Sequence, residues 1–129
     1  MKAHPDAQAI QGVIIYRFGG NLFFANIDTF VNDIEDAIDE NTRIVIINAS
    51  GINNVDITAT DRLMALTRSL KKRGIRFFFA ENDGIVNDEL IKYGAGELLE
   101  NGTVQKDIET VLELIPLKEP YTLVERNEQ

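Results

Sequence analysis

The sequence predicts an α/β domain, a mixed β-sheet with helices packed along one side, and three observations carry that prediction. Two short runs, Arg43-Ile44-Val45-Ile46-Ile47-Asn48 and Ile75 to Ala80, are apolar on successive residues, as strands buried on both faces are. Between and around them lie segments whose apolar residues recur at helical spacing. The boundaries carry the residues that start and stop helices: Asn26 and Thr58 at starts, Gly74 and Gly94 at ends, Pro116 after the last apolar stripe.

Taken in order, residues 1–11 are polar, with Pro5 opposing a helix, and read as a linker. Val13 to Phe18 is β-branched and aromatic and reads as a strand. Gly19-Gly20-Asn21 reads as a turn leading into a second short strand, Leu22-Phe23-Phe24, so a hairpin is expected. Ile27, Phe30, Val31, Ile34 and Ile38 form one stripe of a helix capped by Asn26. A second helix is expected from Thr58 to Arg73, with Leu63, Leu66 and Leu70 inward and Lys71, Lys72 and Arg73 at the negative end of its dipole. Ile85 to Tyr93 reads as a short helix, and a brief extra strand is expected near Leu98-Leu99. Val104, Ile108, Val111, Leu112 and Ile115 mark a final helix. The expected division is a linker at 1–11, a domain at 12–116 and a tail at 117–129 that reads as polar and frayed except at Tyr121, Leu123 and Val124.

Composition narrows the function. The 129 residues are 44% apolar, enough for a core without staples, and include no cysteine. That excludes a disulfide scaffold, a thiol nucleophile and a cysteine zinc site. A net charge of −8 argues against a nucleic-acid partner. No apolar run reaches the ~18 residues of a membrane span. Charge is segregated, however. Residues 26–41 carry Asp28, Asp33, Glu35, Asp36, Asp39 and Glu40 with no base, while residues 61–76 carry Arg62, Arg68, Lys71, Lys72, Arg73 and Arg76 against one acid. These read either as two solvated helix faces or as a docking surface with two poles.

Catalytic signatures are absent. There is no phosphate loop, no dinucleotide fingerprint and no nucleophile elbow, and the only histidine is His4 near the start. Asp83-Gly84 to Asp88 lacks the spacing and closing glutamate of a calcium loop and reads as a turn and helix cap. No catalytic residue, metal or cofactor is expected, and weak nucleotide binding has only the loop after Asn53 as a seat.

That loop, Asn53-Asn54-Val55-Asp56-Ile57-Thr58-Ala59-Thr60-Asp61, is the most informative stretch. It follows a buried strand and opens a helix, so its free N–H groups attract an oxygen or an anion. One reading makes Thr58 the N-cap, with Asp61 three residues on imitating a capping box. The other displays the Thr58 hydroxyl at a helix N-terminus, where a phosphate is electrostatically tolerated. Asp56, Thr58 and Asp61 are therefore candidate switch or cap residues. Asn53, Asn54, Lys71, Lys72 and Arg73 form the candidate partner surface.

The segment Val55-Asp56-Ile57-Thr58-Ala59-Thr60 resembles the strand–Asp-Ser/Thr-Ser/Thr-Gly–helix signature of the STAS fold, which bacterial anti-sigma-factor antagonists share with the C-terminal domains of SulP sulfate and anion transporters. Asp56 and Thr58 match; Ile57 stands in place of a hydroxyl residue and Ala59 in place of the glycine. His4-Pro5-Asp6-Ala7, Gly12 to Phe18 and Leu22 to Asn26 resemble the entry into the transporter branch. The resemblance spans roughly residues 4 to 115. It implies a non-catalytic regulatory domain on the cytoplasmic side of the inner membrane. Its partners would be the membrane domain of the same transporter and a cytoplasmic regulatory protein. The alternative it implies is a free-standing phosphorylation switch of the antagonist type, with a kinase acting on Thr58.

Overall fold

A computed structural model describes residues 12–115 and 122–127. The expected linker, with its His4-Pro5 segment, lies outside the described residues, as does Tyr121. The elements run β1 (Val13–Gly19), α1 (Ile27–Ala37), β2 (Ile44–Asn48), α2 (Ile57–Lys72), β3 (Arg76–Ala80), α3 (Gly84–Lys92), α4 (Glu97–Glu100), β4 (Val104–Gln105), α5 (Ile108–Leu114) and β5 (Thr122–Asn127). The strands form one sheet in the order β4-β3-β2-β1-β5. The two apolar runs are neighbours at its centre, with Val45 opposite Phe77 and Ile47 opposite Phe79.

Strand alternation divides the core in two. Ile14, Tyr16 and Phe18 of β1, Val45 and Ile47 of β2, and Phe77 and Phe79 of β3 face the larger cluster, built with α1, α2, α3 and α4. Val13, Ile15, Ile46, Phe78 and Ala80 face the other way, against Val111 and Ile115 at α5. Four helices thus share one side and α5 takes the other. A parallel sheet covered on both faces explains why its strands are apolar on consecutive residues. Phe30 and Phe79, with no exposed surface to speak of, each contribute about 1.5–3 kcal/mol by burial alone.

Several expectations are corrected. The hairpin does not form. Every pairing among the described residues is parallel, so the antiparallel component expected of a mixed sheet is absent there. Both edges of β1 are already taken by β2 and β5, which leaves no edge for a returning strand. Leu22 instead makes an isolated parallel bridge to Val55, and residues 24–26 turn into α1. Leu98-Leu99 is not a strand but lies in α4, and Val104 belongs to β4 rather than to the last helix. The tail is not frayed at residues 122–127, which form β5 beside β1 over six residue pairs.

The glycine ends of the helices behave as expected. Gly74 and Gly94 sit at φ +77° and +93°, the left-handed conformation that closes α2 and α3. Gly51 has a different task. A Cβ there would lie 3.0 Å from the Gly19 Cα, so only glycine lets the loop after β2 reach the end of β1.

Candidate functional site

The loop before α2 is tied to its surroundings by backbone bonds. Leu22 N–H donates to the Asn54 carbonyl (2.9 Å), and Asp56 N–H donates to the Leu22 carbonyl (3.2 Å). This brings Phe23 and Phe24 alongside the first turn of α2.

Asp56 caps that helix, and Thr58 does not. The Asp56 carboxylate accepts from Ala59 N–H through Oδ1 (2.8 Å) and from Phe24 N–H through Oδ2 (3.0 Å). The expected Thr58–Asp61 box is therefore replaced. Asp takes the N-cap because it sits two residues earlier in extended backbone, at φ −100° and ψ 179°. One carboxylate serves both the helix end and the preceding loop. Thr58 and Asp61 are both exposed in the first turns of α2. Thr60, by contrast, is buried and donates back to the Asp56 carbonyl (2.9 Å).

Sequence reasoning missed Glu89. From α3 it accepts from Val55 N–H (2.8 Å) and from the Asn54 side-chain amide (3.5 Å). Asn53, one residue before Asn54 in the chain, is exposed. No local pattern marks Glu89, because its partners lie 34 and 35 residues away. Asp83 caps α3 through Val86 N–H (3.1 Å), as the turn-and-cap reading expects.

Between these groups lies a shallow depression of about 330 Å³, lined by Asn21, Phe23, Asn54, Asp56, Glu89 and Tyr93 among others. Its two carboxylates already hold backbone N–H groups. They are structural acceptors that fix the loop. Beside Asp56 an apolar surface continues. Phe24 is 69% exposed and Ile57 54% exposed, with the Phe23 and Phe24 rings packed edge to face at 5.4 Å. Exposed aromatic and aliphatic residues around a polar depression suit docking.

The two charge poles meet each other. Arg62 pairs with Asp28, and Arg73 binds both oxygens of Glu35 at 3.0 Å, so the basic helix and the acidic helix join across their own contact. Lys71 and Lys72 remain exposed at the far end of α2. Sixteen residues at 1.5 Å each separate that end from Asn54 by about 24 Å. The predicted partner residues are thus two surfaces and not one.

A second buried site was invisible in the sequence. Asp33 of α1 accepts from the Tyr16 hydroxyl (2.5 Å) and from Arg126 of β5 through Nε (2.5 Å) and Nη2 (2.9 Å). Burial, then the bond to Asp33, pushes the Tyr16 hydroxyl pKa far up. For Asp33 burial opposes ionisation, but the bonds from Arg126 and Tyr16 outweigh it and hold the carboxyl below its usual range.

A five-stranded parallel sheet, with α1 to α4 on one face and α5 on the other, has the topology of the STAS fold. The STAS domain profile matches residues 4–111, and the chain belongs to that family. A probable sulfate transporter of Mycobacterium tuberculosis is 34% identical over 80 residues, covering 60% of this chain and 14% of the transporter. A probable sulfate transporter of Arabidopsis thaliana is 29% identical over 111 residues, covering 77% and 16%. The chain therefore spans about a seventh of the length of the curated relatives it matches. Among solved structures, the STAS domain of a SulP transporter from Vibrio cholerae superimposes with a TM-score of 0.64 at 27% identity, covering 81% of this chain and 80% of that one. A sulfate transporter family protein from Wolinella succinogenes gives 0.69 at 25%, covering 80% and 84%. The murine Slc26a9 anion transporter shares the fold at 0.73 and 23% identity, over 86% of this chain and 19% of the transporter. Among the described residues no helix is long and apolar enough to cross a membrane.

Proposed function

We propose that this chain is the cytoplasmic regulatory and protein-interaction domain of a SulP-type sulfate or anion transporter, working by docking and not by catalysis. The observation that carries the reading is the match of nearly the whole fold to STAS domains, while the same residues cover only 14% to 16% of relatives named as sulfate transporters. The site supports it, since its carboxylates hold loops in place and its rim is exposed and apolar. The membrane domain of the same transporter is the first partner, and a cytoplasmic regulator is the second.

The parent open reading frame tests this directly. It is expected to encode about ten or more upstream apolar segments, each near 20 residues. Sulfate uptake by that transporter is expected to change when residues 12–127 are removed. A natural gene beginning at Met1 sinks the reading.

One observation favours the antagonist-type switch as the second reading. Asp56 does the capping, so Thr58 stands exposed at the start of a helix, where a phosphate meets a positive dipole. Incubation with ATP and a lysate, followed by peptide mapping, tests it. Absence of phosphate on Thr58 removes this alternative.

A further inference from the structure

β4 is too short to cover its neighbour. It pairs with β3 only at Phe79 and Ala80, so Arg76–Phe78 have no strand beside them on that edge among the described residues. Backbone groups in a parallel strand point alternately to either side. Arg76 N–H donates to the Arg43 carbonyl on the β2 side, whereas Phe79 N–H donates to the Thr103 carbonyl on the β4 side. Phe77, two residues before Phe79, therefore directs its N–H and carbonyl to the uncovered edge.

A cavity of about 390 Å³ lies there. Its walls include Phe77 with Thr67 and Lys71 from the α2 side, Arg76 and Phe78 from the side α5 covers, and the 101–103 segment that leads into β4 at one end. Walls drawn from both faces of one strand place the cavity at the strand's edge. Arg76 is anchored over the Phe78 ring at 5.1 Å. Lys71 and Arg76 are exposed, and no carboxylate lines the cavity. On a chain of net charge −8 this is a local basic site beside open backbone groups.

We propose that this edge receives an acidic peptide in extended conformation, added as a strand in line with β4 beside Arg76–Phe78. Backbone bonds to Phe77 supply the strand pairing, and the basic side chains supply the preference for acid. Neighbouring residues of a strand point to opposite faces. Lys71 stands on one face and Arg76 on the other, so the peptide carries two consecutive carboxylates. The inference does not rest on the transporter reading, because the edge and its charges belong to this chain whatever larger protein carries it.

The test is an NMR titration of the 129-residue protein with Ac-Val-Glu-Glu-Val-Thr-NH2. Saturable shifts centred on the Phe77 amide, slower exchange of that amide and a Kd below about 1 mM are expected. Ac-Val-Lys-Lys-Val-Thr-NH2 is expected to bind at least about tenfold more weakly. So is the acidic peptide with its ladder-facing amides N-methylated. Lys71→Glu with Arg76→Glu is expected to weaken the acidic peptide about tenfold or more, with Lys71→Ala as a milder variant and circular dichroism confirming the fold of each. Equal binding of the basic or N-methylated peptide, shifts centred elsewhere, or no saturation near 5 mM overturns the proposal.

Discussion

The Tyr16–Asp33–Arg126 triad shows how single residues hold this fold. Tyr16 and Asp33 are buried, and their partner comes from the last strand. Truncating one member leaves the others buried without their bonds, which costs about 3–5 kcal/mol for a charge partner and about 1 kcal/mol for the hydroxyl. Arg126→Ala is therefore expected to lower stability more than Tyr16→Phe in urea melts, and the reverse order rejects the triad as drawn. Its pH signature follows from the two shifts. Asp33 titrates below its usual value, so its contribution is present above about pH 4 and is lost as the pH falls through the folded pKa. Tyr16 titrates above its usual value, so its contribution holds below about pH 10 and declines as the pH rises further. Melts of Tyr16→Phe are expected to lose part of the alkaline decline that the parent shows. Caps obey the same local chemistry. Asp56→Ala is expected to cost about 1–2 kcal/mol, because it removes the acceptor for Ala59 N–H and for Phe24 N–H. Thr58→Ala is expected to change stability by about 0.5 kcal/mol or less, as an exposed position does.

At the scale of elements, legibility followed the kind of signal. β2 and β3 were readable because burial on both faces writes itself into consecutive residues such as Val45-Ile46-Ile47 and Phe77-Phe78-Phe79. α1, α2, α3 and α5 were readable from apolar stripes and from stops such as Gly74 and Gly94, whereas the single turn of α4 is too short to show a helical period. The hairpin was misread because Leu22-Phe23-Phe24 looks like a strand locally. What prevents it is competition for the edges of β1, a tertiary fact. β5 was missed for the opposite reason. Thr122–Asn127 is polar at four of its six positions, and its hold comes from parallel pairing to residues more than a hundred positions away and from Arg126 reaching Asp33. The candidate site was half legible. The loop was found, but the capping role moved from Thr58 to Asp56, and Glu89 had no sequence signal. The α1–α2 contact adds a prediction about salt. Its pairs, Arg62–Asp28 and Arg73–Glu35, are partly exposed, so each contributes only about 0–1 kcal/mol. Arg73→Ala is expected to lower the urea midpoint slightly at low salt and hardly at all at about 1 M NaCl, where the Debye length is about 3 Å. An undiminished effect at high salt assigns the loss to packing instead.

For the whole molecule, the question is how far the family fold stands without the strand that closes it. The STAS match ends at residue 111, yet β1, next to the edge of the described sheet, has β5 along its outer side. β5 hides Val124 against the main core, and Arg126 neutralises a carboxylate that α1 buries there. Ending the chain at residue 115 keeps β1 to β4 and both core clusters apart from Val124. It removes Val124, six ladder pairs and the only cation that bonds Asp33 among the described residues. The truncated protein is expected to fold with near-parent far-ultraviolet circular dichroism, because the two central strands and five helices remain. Its stability is expected to fall by at least about 3–5 kcal/mol, with the unpaired Asp33 and the loss of Val124 from the core both contributing. Its urea m-value is expected to fall as less surface is buried. The bared edge of β1, with Ile14, Ile15 and Tyr16 along it, invites pairing with another copy, so concentration-dependent association is expected by light scattering. Asp33→Asn in the truncated chain separates the two causes. It removes the unpaired charge and is expected to recover part of the lost stability, while leaving the open edge and the association unchanged. A truncated chain as stable and as monomeric as the parent shows that β5 closes nothing.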